Sequence, residues 1–308
     1  MTVSHLIPQR RPIAILFESL VNGERDLGAV PASIESVLFE ESVNEAIRTA
    51  LPDLAIRALE LITHLGDGVT LVAVLAALYW FGTPRDQQTR ALVLAIGLLA
   101  LSISAGLKGI VAAPRPDVPF GDGMHSPYSF PSSHALGSAA VYGAVAAFGE
   151  VGTKRSRSVI AGAVVTLVAL SRIVVGAHYL GDVLAGAAIG IGIVAVVDWR
   201  HPDPGAVFAL AGVIALVSLA LGSTYYTTAT IGAAIGATLA WQYTASRSAT
   251  LVGRVTGLTL SGLAAVRLLA ADWMGHWLFE IGAYAIAMAE AVSVPALGIQ
   301  FSDRSIGV

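Results

Sequence analysis

Cysteine is absent from the 308-residue chain, which excludes disulfides, a thiol nucleophile and thiolate-bound metal. Charge is scarce. Asp, Glu, Lys and Arg make up 13% of the residues, against roughly 25% in a soluble domain. Lysine is scarcer still: only Lys108 and Lys154 stand among 18 basic residues. A net charge of −3 offers no broad basic surface for nucleic acid. Strand-like alternation is weak throughout, which argues against a membrane β-barrel. No HExxH, Walker or GxGxxG element occurs in its required context. Apolar residues, by contrast, reach 55%, and the mean hydropathy is +0.73. Such a composition excludes a disordered chain and an ordinary cytosolic enzyme. It favours a polytopic membrane protein, whose lipid-facing surface must also be apolar.

A membrane helix needs about 20 mostly apolar residues. Runs near 67–82, 89–113, 134–150, 158–175, 180–198, 205–222, 228–243, 250–269 and 276–297 are the candidates, separated by short polar or Pro-containing breaks. The expected fold is an all-α polytopic bundle. Residues 1–62 differ in carrying many charges, and 12–21 lacks a signal-peptide pattern of apolar core and small-residue cleavage site. Residues 52–67 space their apolar side chains at helical intervals and read as an amphipathic helix at the interface. The segment before them is expected to be solvent-exposed, with a start codon assigned too far upstream as the alternative. The chain thus divides into a polar region 1–62, a core 63–200 and additional transmembrane helices over 201–300. The Ala/Gly-rich stretches AGAAIGIG and IGAAIGA suggest close helix packing.

Basic residues set the orientation. Arg85, Arg90, Lys154, Arg155, Arg157, Arg200, Arg247, Arg254 and Arg304 fall on one side. Beyond the N-terminal region, the other side holds only Lys108, Arg115, Arg172 and Arg267. The first face is therefore expected in the cytoplasm, making this a multi-pass cell-membrane protein.

Three of the four cations on the outer side belong to one constellation. KGIVAAPRP carries Lys108 and Arg115, PSSH spans Pro131 to His134, and SRIVVGAHYLGD carries Ser171, Arg172, His178 and Asp182. The interval between His134 and Ser171 accommodates two antiparallel helices, so all three segments should meet on one side of the membrane. Lys108, Arg115 and Arg172 are suited to phosphate oxygens. Ser132 and Ser133 precede an apolar helix, where a cap and exposed amides favour an anion. His178 and Asp182, four apart, would share a helical face. The carboxylate could then fix the imidazole tautomer and leave the other nitrogen to attack. His134 could protonate a departing oxygen. Together these groups suit metal-free phosphoryl transfer.

The three segments resemble the signature of the type-2 phosphatidic acid phosphatase family: Lys-six-Arg-Pro, Pro-Ser-Gly-His and Ser-Arg-five-His-three-Asp. Ser133 stands where the family has Gly. The resemblance covers about residues 60–198. It implies a bundle of that family's kind, to which the C-terminal runs add extra helices, and the basic-residue count puts the active site on the non-cytoplasmic face. It also implies hydrolysis of a lipid phosphate monoester or (poly)prenyl diphosphate without a cofactor or metal. His178 would become phosphohistidine, Asp182 would orient it, and His134 would serve as acid and then base. Lys108, Arg115 and Arg172 would bind the phosphoryl oxygens, with Ser132 and the Ser133 amide completing the cradle. The expected partners are a lipid phosphate substrate and the surrounding membrane lipids.

Two other readings stay open at this point. The same intermediate could pass its phosphate to a lipid or sugar alcohol, or the basic cluster could serve an anionic-lipid transporter. A transporter would release no inorganic phosphate. His64, Asp67 and His125 read more simply as entrance and loop residues. Arg267, His276, Glu280 and Glu290 read as interfacial or interhelical polar groups.

Overall fold

The computed structural model describes residues 38–81, 86–116, 126–222, 226–244 and 277–293. Among the described residues the elements begin with two short helices, α1 (Glu41–Thr49) and α2 (Asp53–Ile62), and a 3₁₀ turn (Thr63–Gly66). The apolar helices are α3 (Gly68–Phe81), α4 (Gln87–Val111), α5 (Ser133–Phe148), α6 (Lys154–Val174), α7 (Leu180–Arg200), α8 (Pro204–Gly222), α9 (Thr227–Thr244) and α10 (Trp277–Ser293). They follow the hydropathy runs closely. The run at 250–269, along with His125, Arg267 and His276, lies outside the described residues.

Gln87–Val111, Lys154–Val174, Leu180–Arg200 and Pro204–Leu221 are each long and apolar enough to cross a membrane. Asp53–Gly66 and Gly68–Trp80 pass that test together, although they bend by 53° at their junction. The chain is a multi-pass, all-α membrane protein. The helix that reads in sequence as interfacial over 52–67 meets the first apolar helix at a bend around Asp67. Leu54 and Leu61 on α2 remain exposed, as an apolar face turned towards lipid would be.

Helix ends are fixed by local chemistry. Asp86 caps α4 by accepting from the Thr89 amide, and Thr153 caps α6 through the Ser156 amide. Gly176, at φ +71°, terminates α6 in the left-handed region that only glycine adopts cheaply. Its amide and those of Ala177 and His178 fold back onto the carbonyls of Ile173 and Arg172.

Close packing follows from the small residues. A β-carbon on Gly190 would come within 2.5 Å of the Leu136 carbonyl oxygen, and one on Gly186 within 2.6 Å of that of Ser132. Gly186 and Gly190 share a face of α7, and their backbone meets α5 directly. Gly232 and Gly236 do the same for α9 against α10, at the carbonyls of Ile281 and Ala285. The C-terminal helices share a core with the central one. Leu94, Leu98 and Ala95 of α4 belong to the same buried cluster as Phe208 of α8 and Ala237 of α9. Between α9 and α10, Thr228 donates to Glu280 over 2.8 Å, so this glutamate makes an interhelical bond.

The helix directions sort the polar residues into two ends. Arg90, Lys154, Arg155, Arg157 and Arg200 lie at one end, where Lys154 Nζ sits 3.6 Å from Asp198. The end of α4, the start of α5, the end of α6 and the start of α7 form the other.

Candidate active site

At that second end, the three motif segments converge. The Ser132 amide donates to the Asp182 carbonyl over 3.0 Å, which joins the second segment to the third. Arg115 joins the first to the third, donating from Nη1 to the Ala177 carbonyl over 2.8 Å and facing His178 Nε2 at 3.3 Å. Its Nε donates to the Ser126 carbonyl. Lys108, 2% exposed, donates to the carbonyls of Tyr128 and Ser129 at 2.8 and 3.0 Å. Arg172, 5% exposed, donates to the Thr63 hydroxyl over 2.8 Å. The hydrogen-bond acceptors of these three cations among the described residues are neutral oxygens and one imidazole nitrogen. A carbonyl dipole solvates a cation without cancelling its charge, so the cluster retains a field able to bind an anion.

His178 is the buried centre of this field, at 2% exposure. It does not lie on a helix with Asp182, as the four-residue spacing suggests, but in the loop before α7. Asp182 is in the first turn of that helix, where Oδ2 accepts from the Tyr179 amide over 3.0 Å and fastens the helix start. The two side chains still meet, with His178 Nδ1 3.5 Å from Asp182 Oδ2. That is a charge–dipole contact, too long to be a strong hydrogen bond. Guanidinium has donors only. A bond from Arg115 therefore requires the lone pair on His178 Nε2 and leaves the ring proton on Nδ1, facing the carboxylate. Burial first, then the nearby Arg115, Lys108 and Arg172 charges, hold the His178 ring well below the usual histidine range. Burial also lowers Arg115, while Asp182 acts in the opposite direction.

The serines divide their work. The Ser132 side chain caps α5 by accepting from the Ala135 amide, and its own amide is taken by Asp182. The Ser133 hydroxyl pairs with that of Ser104 at 2.8 Å, a contact that the family's glycine could not make. Ser171 bonds to the Val168 carbonyl within its own helix.

His134 stands at the start of α5, and its Nε2 lies 2.8 Å from Asp67 Oδ1. Asp67 and His64, set aside in the sequence as entrance residues, thus touch one of the motif histidines. Their three-residue spacing at a helix entrance was the available signal. Two further residues had none. Asn44 donates to the His178 carbonyl and Arg48 to that of Val174, both over 3.0 Å. These side chains of α1 brace the loop that carries His178, so this part of the polar N-terminal region is not simply solvent-exposed; Asn44 is 5% exposed.

A family model described as the PAP2 superfamily matches residues 88–204. Phosphatidylglycerophosphatase B of Bacillus subtilis (strain 168) is 31% identical over 141 residues, covering 42% of this chain and 67% of that protein. Decaprenylphosphoryl-5-phosphoribose phosphatase of Mycobacterium tuberculosis is 31% identical over 164 residues, covering 52% and 89% respectively. Among solved structures, the transmembrane PAP2-type phosphatidylglycerolphosphate phosphatase from Bacillus subtilis superposes with a TM-score of 0.48 at 24% identity, over 62% of this chain and 96% of that one.

The lowered His178 pKa carries a stability signature. Below about pH 6.5 an unfolded chain protonates this ring, whereas the folded one does not, so stability is lost as pH falls through that range. In detergent, the melting temperature of the wild type should fall more steeply between pH 7.5 and 5 than that of His178→Gln. Parallel slopes would show that the ring is not held neutral.

Proposed function

We propose, from the premise that this chain belongs to the PAP2 superfamily, that it hydrolyses a lipid phosphate monoester or (poly)prenyl diphosphate at the non-cytoplasmic surface, through a phosphohistidine and without metal. Membership makes it a membrane phosphatase. The related phosphatidylglycerophosphatase and decaprenylphosphoryl-5-phosphoribose phosphatase support lipid phosphates as the substrate class.

One observation carries the mechanism: a buried neutral imidazole presents its Nε2 lone pair to a guanidinium at 3.3 Å. A phosphoryl group drawn in by Arg115 meets that lone pair. Nε2 attacks phosphorus as the bond from phosphorus to the lipid oxygen breaks, and His134 gives its proton to that oxygen. The Nδ1 proton of His178 faces Asp182, which stabilises the charge left on the ring. Water then attacks phosphorus and loses a proton to His134, the phosphorus–nitrogen bond breaks, and orthophosphate leaves. Lys108, Arg115 and Arg172 hold the equatorial oxygens throughout, supplying the positive charge that this transition state needs. The Ser133 amide at the α5 start adds a donor.

Purified protein in EDTA should release phosphate from a panel of lipid phosphates, and His178→Ala should lose at least about 10²-fold of that turnover. His134→Ala should lose lipid hydrolysis by about 10²–10⁴-fold. It should keep more of the p-nitrophenolate burst from p-nitrophenyl phosphate, because that leaving group needs little protonation. Retained lipid turnover in His178→Ala, or equal loss of burst and turnover in His134→Ala, would overturn these roles.

Orientation follows from the basic end of the bundle. Because the chain lacks cysteine, Val151→Cys, in the exposed turn before α6, should resist an impermeant thiol reagent in intact cells. Ser42→Cys, exposed on α1 at the site end, should react. The reverse pattern would place the site in the cytoplasmic leaflet.

A further inference from the structure

The 3₁₀ turn between α2 and α3 is built around the motif histidine of α5. Asp67, at the end of this turn, places Oδ1 2.8 Å from His134 Nε2 and Oδ2 2.7 Å from His64 Nδ1. Each carboxylate oxygen serves a different ring, so the carboxylate bridges two imidazoles and its rotamer is fixed from both sides. His134 is 14% exposed, Asp67 39% and His64 66% by side chain. Only the outer ring is well solvated. The turn itself is seated closely. A β-carbon on Gly66 would lie 2.6 Å from Val168 and 3.1 Å from the His134 ring, and Tyr142 of α5 donates to the Leu65 carbonyl over 2.8 Å. The same turn supplies the Thr63 hydroxyl that receives Arg172.

We propose that Asp67 is the positioning residue for His134. The proposal rests on the functional reading above and lies outside the family-matched residues 88–204. When His134 is an imidazolium it carries a proton on each nitrogen. The carboxylate holds the one on Nε2, so the other proton is transferred to the leaving oxygen. As the phosphorus–oxygen bond breaks, that proton moves to the lipid oxygen and His134 becomes neutral with a fixed tautomer. When water attacks the phosphohistidine, the ring recovers a proton, and the adjacent negative charge stabilises the imidazolium. Asp67 stays ionised throughout. His64 holds the second oxygen and keeps the carboxylate aimed at His134. Among the described residues, the charged or titratable groups that face His134 or its carboxylate include His64 from the turn, Arg172 from α6, which acts on Asp67, and His178 from the loop before α7. Asp67 bonds the ring directly, at 2.8 Å.

Full-length Asp67→Asn and Asp67→Glu should be compared with wild type and His178→Ala in detergent, on a lipid phosphate and on p-nitrophenyl phosphate. Asp67→Asn should lower lipid kcat by about 10²-fold, the low end of a general acid's contribution, with KM near wild type and a much smaller loss of the p-nitrophenolate burst. The step needs protonated His134, so kcat falls on the alkaline side. Loss of the carboxylate should move that limb to lower pH, and Asp67→Glu should restore part of both effects. An unmoved alkaline limb in Asp67→Asn, or equal loss of turnover and burst in that variant, would reduce Asp67 to a structural role. A raised KM with normal kcat would assign it to Arg172 instead. Failure of wild type to release phosphate would overturn the functional reading and this assignment with it. A working wild type, an inactive His178→Ala and an unmoved limb would overturn only this assignment.

Discussion

A cluster of positive charge, hydrogen-bonded to neutral groups at one end of an apolar bundle, governs this structure. Removing a cation from water costs several kcal/mol even after relaxation, and carboxylate partners would repay much of it. Here the partners of Lys108, Arg115 and Arg172 are carbonyl oxygens, a hydroxyl and an imidazole lone pair. Neutral partners make burial tolerable while leaving the field intact. Local stability is given up for a site that suits a dianion. The same field, with burial, keeps His178 unprotonated, which is the state a nitrogen nucleophile needs.

Such a cluster requires a rigid frame, because like charges would otherwise spread apart. The frame comes from backbone-to-backbone contact. Gly186 and Gly190 bring α7 against α5, and the Ser132 amide bonds to the Asp182 carbonyl where the two helices begin. Gly176 then turns the chain out of α6 so that Arg172 and His178 both point into one volume, tied through the Arg172 carbonyl. From outside the helical core, α1 and the 3₁₀ turn press inward. Asn44 and Arg48 hold the carbonyls of the His178 loop, and Thr63 and Asp67 hold Arg172 and His134.

Most of the bundle was legible because lipid imposes a simple rule: long apolar runs between polar breaks become helices. The run at 89–113 became Gln87–Val111, and that at 180–198 became Leu180–Arg200. Meeting of the three motif segments was legible for a similar reason, since the helix count between His134 and Arg172 returns the chain to the same face. What stayed hidden depends on tertiary placement. Asp67 looks like any acid at a helix entrance until the 53° bend turns it towards α5. Asn44 sits in a charged, short helix with no apolar run, and only the docking of that helix reveals its partner. The His178–Asp182 spacing suggested a shared helical face. In the structure Tyr179 begins the helix between them, so the pair meets across a cap rather than along a turn.

The central claim is that His178 Nε2 and the three cations address one phosphoryl group. Its most direct test is an experimental structure of the protein with orthovanadate, which adopts the five-coordinate geometry of phosphoryl transfer. The account predicts vanadium bonded to His178 Nε2, its oxygens on Lys108, Arg115 and Arg172, and Arg115 shifted from the imidazole to the oxyanion. Vanadate bound away from His178, with Arg115 still facing Nε2, would contradict it.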